Sequence, residues 1–164
     1  RQCIKGLKPG KKPRDWQKEA EHYMEKELVD LGLLSLRDVK QQDPDQPAFK
    51  KYFMHGVGHP LGLDVHDVGM TTEPFQAGWV MTDEPGIYIR EETFAVRLEN
   101  DVLITDKAPV DLMANIPIEA DEIEALMNAR PKSANGGKNG RNHEPVRLRR
   151  GASVMVRQQA RSNK

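Results

Sequence analysis

Apolar residues recur at helical spacing in one stretch near the start of the chain: Trp16, Ala20, Tyr23, Met24, Leu28 and Leu31. Asp15 stands before them as a candidate N-cap, and Gly32 stands where a left-handed glycine would end the helix. The pattern predicts an amphipathic helix over 15–31 whose apolar stripe packs into a core. Upstream, Leu7-Lys8 reads as the end of another helix, broken by Pro9-Gly10. Residues 35–50, which include Gln41-Gln42-Asp43-Pro44-Asp45-Gln46-Pro47, read as a polar connection.

The period then shortens to two. Trp79–Thr82 and Ile87–Ile89 read as strands flanking a bend at Glu84-Pro85-Gly86. Phe94, Val96 and Leu98 alternate with Ala95, Arg97 and Glu99, so Arg97 and Glu99 share one strand face. Val102-Leu103-Ile104 prolongs the same strand, and a short helix over 119–127 follows Pro117. Helices interleaved with strands, without internal repeats, predict an α/β (α+β) fold.

Composition divides the chain. Residues 1–130 hold 16 Lys+Arg against 24 Asp+Glu, whereas 131–164 hold nine basic residues against the single acid Glu144. Apolar residues also thin out after Pro131, so the expected organisation is a folded body, 1–130, and a basic, disordered tail, 131–164. The tail reads as a solvated appendage, and nucleic acid is not expected as a partner. No apolar run approaches the roughly 18 residues that a membrane helix needs, so no membrane partner is expected. The lone Cys3 rules out an intramolecular disulfide and fits a reducing compartment, so the expected location is cytoplasmic. The chain opens on Arg1 in the middle of an element, which reads as an N-terminally incomplete domain.

The chemistry sits in His55-Gly56-Val57-Gly58-His59-Pro60-Leu61-Gly62-Leu63-Asp64-Val65-His66, followed by Asp83-Glu84-Pro85-Gly86 and Arg97-Leu98-Glu99. Imidazoles and carboxylates hold borderline divalent cations, and paired carboxylates suit two ions at once. The interleaved glycines allow close backbone approach. The residue after His55 is Gly, which excludes the helical His-Glu-x-x-His zinc motif, and a single cysteine excludes thiolate zinc sites. No Gly-x-Ser-x-Gly elbow and no Lys-Ser or Lys-Thr phosphate loop is present. The residues point to a metallohydrolase.

The run from Phe53 to Gly69, together with Glu84-Pro85-Gly86-Ile87-Tyr88 and Val96 to Thr105, resembles the aminopeptidase P and prolidase branch of the pita-bread (creatinase/aminopeptidase-like) metallopeptidases. The resemblance covers about residues 4–127 and includes the closing Glu122-Ile123-Glu124-Ala125-Leu126-Met127. It implies a partial pita-bread fold and hydrolysis of the N-terminal bond in peptides with proline second. It further implies two divalent ions, commonly manganese, with zinc and cobalt(II) as alternatives. His59, Glu84 and Glu99 would be metal ligands, with Glu99 bridging both ions and Glu84 also shuttling a proton. His55 and His66 would hold the substrate and the oxyanion, and Arg97 would support Glu99 from behind. Prolidase is the alternative within the class, and a peptide-binding pseudoenzyme the alternative outside it. The full-length parent is left room to be a homo-oligomer.

Two departures accompany the resemblance. Such enzymes carry two aspartate ligands on strands upstream of the first helix, and nothing in residues 1–50 matches them. Asp15, Asp30 and Asp38 lie in helical or connecting context, so the chain is expected to be inactive alone. Asp83 also stands where an apolar residue is usual. A buried, unpaired carboxylate is costly, so Asp83 is expected either to find a partner or to lie on a less buried strand.

Overall fold

In the computed structural model, which describes residues 2–69 and 72–129, the first helix is α1 (Pro13–Asp30). It begins two residues before Asp15, with Pro13 at its first position and Lys12 as a cap that makes no side-chain hydrogen bond. Proline is favoured there because its missing N–H would be unpaired anyway. The helix closes as expected at Gly32, φ 77°, with Leu33 N–H donating to the Leu28 carbonyl and Gly32 N–H to Val29, both at 2.9 Å. Of the predicted stripe, Trp16, Ala20 and Leu28 are buried. Tyr23 (38% exposed) lies at the edge of the stripe, and Leu31 (63%) falls past the last turn.

The helix end expected at Leu7-Lys8 is instead a single 3-10 turn, Ile4–Gly6. The connection over 35–50 contains a helix of its own, α2 (Leu36–Gln41). Ser35 and Asp38 cap it reciprocally: Ser35 Oγ accepts from Asp38 N–H at 3.1 Å and Asp38 Oδ2 accepts from Ser35 N–H at 2.9 Å. This capping box was legible in the sequence. After a 3-10 turn at Ala48–Lys51 comes the glycine-rich loop, and α3 (Ala120–Asn128) ends the described residues. The disordered tail expected over 131–164 lies outside them.

Five strands occur among the described residues: β1 (Val80–Asp83), β2 (Gly86–Ile89), β3 (Phe94–Arg97), β4 (Asn100–Leu103) and β5 (Val110–Asp111). All pairings are antiparallel, β1 with β4, β4 with β5, and β2 with β3. The continuous strand expected over 94–104 is thus broken at Leu98-Glu99, where the facing segment turns through Glu84-Pro85. Pro85 has no N–H to give to a ladder. The register nevertheless carries through. The last β1–β4 pair is Asp83 with Asn100 and the first β2–β3 pair is Gly86 with Arg97. Counting across the gap sets Glu84 opposite Glu99 and Pro85 opposite Leu98.

This interrupted hairpin has two faces. Met81 and Val102 pair on the back face and belong to the core cluster formed with Trp16, Ala20 and Leu28 of α1. Burying a Leu, Met or Val side chain contributes about 1.5–3 kcal/mol, so packing, not its unadorned N-cap, holds α1. Asp83, two residues after Met81, continues this back face. Thr82, Glu84, Arg97 and Glu99 alternate with it and form the front face.

Candidate metal centre

His59 reaches the front face because residues 57–61 run alongside β1. Glu84 N–H donates to the Val57 carbonyl at 2.8 Å, Thr82 N–H to His59 at 2.9 Å, and Leu61 N–H to Val80 at 3.0 Å. His59 therefore lies across from Thr82, one step along the face from Glu84. Gly58 is required for this approach, since a Cβ there would land on the Thr82 carbonyl. Gln17 of α1 anchors the segment by accepting the Val57 N–H at 2.7 Å.

One donor atom each from His59, Glu84 and Glu99 lie within 4.8 Å of one another. The pair His59 Nε2 and Glu84 Oε1 is 3.2 Å apart. His59 Nδ1 lies 2.9 Å from the Pro60 carbonyl, which only accepts, so Nδ1 carries the hydrogen of the neutral ring. The Nε2 lone pair then faces a carboxylate oxygen. Two acceptors so placed need a cation or a proton between them. Two ligands on one ion, each about 2.0–2.2 Å from it, would stand roughly this far apart, so the donor set fits a borderline divalent ion.

Arg97 spans the two carboxylates, with Nη1 3.6 Å from Glu84 Oε2 and Nη2 3.8 Å from Glu99 Oε2. It offsets the repulsion of two acids set directly opposite each other. Thr82 is buried, accepts the His59 N–H on Oγ1 at 2.9 Å, and lies 3.2 Å from Glu84 Oε1. Sequence reasoning passed over Thr82. Its signal was a hydroxyl two positions before the Glu, hence on the same strand face.

His66 sits in the exposed loop with its ring perpendicular to that of His59, centroids 4.2 Å apart. Asp67 shapes this loop by accepting the Leu63 and Val68 N–H groups at 3.0 and 2.8 Å. His55 is held by other partners, its ring edge-on to Phe53 and Tyr88. Its Nδ1 lies 2.7 Å from the Gly56 carbonyl, and its buried Nε2 has no hydrogen bond among the described residues. Asp15 and Asp30 lie on α1 and Asp38 on α2, so none of them joins the group.

Asp83 satisfies neither alternative expected of it. It is 3% exposed, and Oδ1 has no hydrogen-bond partner among the described residues. Burial pushes its carboxyl up to about 6; the positive charge of the N-terminal amino group opposes the rise, and the charges of Asp111 and Glu84 add to it.

Helices behind an interrupted antiparallel hairpin, with an imidazole and two carboxylates meeting on its front face, define part of a pita-bread metallopeptidase domain. The family model for metallopeptidase family M24 matches residues 1–106, and the chain belongs to that family. It is 39% identical over 140 residues to the Xaa-Pro aminopeptidase of Haemophilus influenzae, covering 78% of this chain and 32% of that protein. The Xaa-Pro aminopeptidase of Escherichia coli is 36% identical over 137 residues, with 76% and 31% covered. Aminopeptidase P from E. coli with the inhibitor Pro-Leu superposes with a TM-score of 0.66 at 33% identity, over 77% of this chain and 31% of that one. The chain thus spans about a third of the length of the curated relatives it matches.

Proposed function

We propose that this chain supplies part of the metal centre of a manganese-dependent Xaa-Pro aminopeptidase, which removes the first residue of peptides with proline second. The observation that carries the reading is the meeting of His59 Nε2 with the carboxylates of Glu84 and Glu99 on one face. An imidazole with carboxylates suits manganese, zinc or cobalt(II), and manganese is the ion proposed. Bound divalent ions would supply Lewis-acid polarisation of the scissile carbonyl and acidify a water near neutral pH.

The chain's own residues do the rest. The Pro60 carbonyl fixes the His59 tautomer and leaves Nε2 free to coordinate. Glu84, steadied by Thr82 and Arg97, would take a proton from the attacking water and pass it to the leaving nitrogen. Arg97 would keep Glu84 and Glu99 in place as charge builds. His55 Nε2 would accept a hydrogen bond from the substrate, and His66 would meet the carbonyl oxygen beside His59. A single cysteine fits a reducing compartment, so the proposed location is cytoplasmic.

The matched stretch is about a third of the related proteins' length, and the two aspartate ligands expected from the resemblance have no counterpart in the group described. The chain alone should therefore bind an ion weakly and turn over Xaa-Pro peptides hardly at all. Fusing the aspartate-bearing strands of a related enzyme upstream should restore hydrolysis, and Glu84→Gln should remove it again. Robust hydrolysis by the purified 164-residue chain, free of host peptidase, would overturn the argument that its site lacks ligands, and a fused protein that hydrolyses no Xaa-Pro peptide would overturn the reading.

A further inference from the structure

The hydrogen on His55 is placed from across the fold. Its Nδ1 lies 2.7 Å from the Gly56 carbonyl, and a carbonyl only accepts, so Nδ1 carries the hydrogen. That carbonyl belongs to the planar 56–57 peptide, whose N–H points the opposite way. The N–H, on Val57, donates to Gln17 Oε1 of α1 at 2.7 Å, forty positions away. Gln17 Nε2 in turn donates to Glu21 Oε1 at 3.0 Å, one turn further along α1. An N–H on one side and a carboxylate on the other leave the Gln17 amide a single orientation. The bonds therefore run in one direction, from His55 Nδ1–H through the peptide and Gln17 to the Glu21 carboxylate. Hydrogen bonds chained in this way strengthen one another.

The next peptide along needs no such help, because the Val57 carbonyl accepts the Glu84 N–H at 2.8 Å. Peptide 56–57 has no backbone partner among the described residues, and Gly56, without a Cβ, leaves it free to turn. We infer that Gln17 is a positioning residue of the site: through this peptide it holds the hydrogen of His55 on Nδ1 and keeps the buried Nε2 an acceptor. If Gln17 only tied the loop to α1, its loss would cost stability and leave the tautomer alone. That His55 meets a substrate rests on the proposed function, whereas the placing of its hydrogen does not.

Long-range proton–nitrogen NMR of the full chain, with labelled histidines and without metal or peptide, reads the tautomer directly. It is recorded at about pH 8.5, where an ordinary histidine of pKa about 6.5 is neutral. In the unaltered chain the hydrogen of His55 should sit on Nδ1. Gln17→Met keeps the length of the side chain and removes its acceptor, so the ratio of Nδ1–H to Nε2–H should fall at least fivefold. Gln17→Glu keeps an acceptor for the Val57 N–H and should retain the unaltered ratio. His59, whose Nδ1 lies against the Pro60 carbonyl, should stay as it is in both variants. An unaltered chain with the hydrogen on His55 Nε2, an unchanged ratio in Gln17→Met, or an equal loss in Gln17→Glu would each overturn the inference. So would an equal change at His59, which would mark a general loosening. Gln17→Ala, with a strong helix former, is read in the same way should Gln17→Met not fold.

Discussion

Glu84 and Asp83 are neighbours in the chain and opposites in circumstance. Glu84 faces forward into His59, Arg97 and Thr82, each within 3.6 Å of its carboxylate. Asp83 faces back toward the side that packs on α1, is more deeply buried, and leaves Oδ1 without a hydrogen bond among the described residues. One peptide bond separates a carboxylate held by three groups from one that burial pushes toward its neutral form. A strand assigns alternate residues to different solvents, and charge chemistry follows from the face and not from the residue type.

Removing the front-face imidazole has the largest expected effect. His59→Ala should weaken manganese binding at least 100-fold, about 2.8 kcal/mol at ~1.4 kcal/mol per decade, as read by calorimetry or manganese EPR. Unchanged affinity would dissolve the contrast, because the front face would then be no more a cation site than the back.

The back face should respond to Asp83→Asn with a gain in stability. The folded-state carboxyl sits near 6 against an ordinary 3.8, so the folded chain holds its proton more tightly between those values. Stability from this group is therefore greatest below about pH 4, falls as pH rises toward 6, and stays low above it. At pH 7 the metal-free variant should be more stable by about 1–3 kcal/mol, taking ~1.4 kcal/mol per pH unit as the ceiling, and at pH 3.5 the two should match. Urea denaturation at both pH values checks this. A variant no more stable than the parent at pH 7 would mean that Asp83 has a partner.

Thr82→Val tests how far the front face depends on its support. The change keeps the shape and removes the hydroxyl, leaving the His59 N–H unpaired. About 1–2 kcal/mol of stability should be lost, together with about tenfold in metal affinity. Retention of both would show that Glu84 and His59 are held without it.

The smallest effect concerns Cys3, whose thiol burial pushes up to about 11, with the charge of Asp83 contributing. The thiolate is the reacting form, so labelling at pH 8 should be slow, with ~0.1% of the thiol ionised. Asp83→Asn removes one cause and should quicken labelling by less than about threefold. A slower rate in that variant would place Asp83 away from Cys3.

The sequence by itself determined what depends on near neighbours. Its spacing marked α1 and the glycine that ends it, the two-residue period put Arg97 and Glu99 on one face, and the residue types marked the cation chemistry. The capping box at Ser35 and Asp38 was equally local and only overlooked. The break at Leu98-Glu99 was not legible, because alternation continues through it and only the absent N–H of the facing Pro85 interrupts the ladder. The tertiary structure alone decided that Glu84 stands opposite Glu99, fifteen positions away, and that His59 stands across from Thr82, twenty-three positions away. It alone put Asp83 on the core side, with Oδ1 making no hydrogen bond among the described residues. Periodicity says which way a side chain points, but what it meets is set by long-range pairing and burial, which no local stretch of sequence encodes.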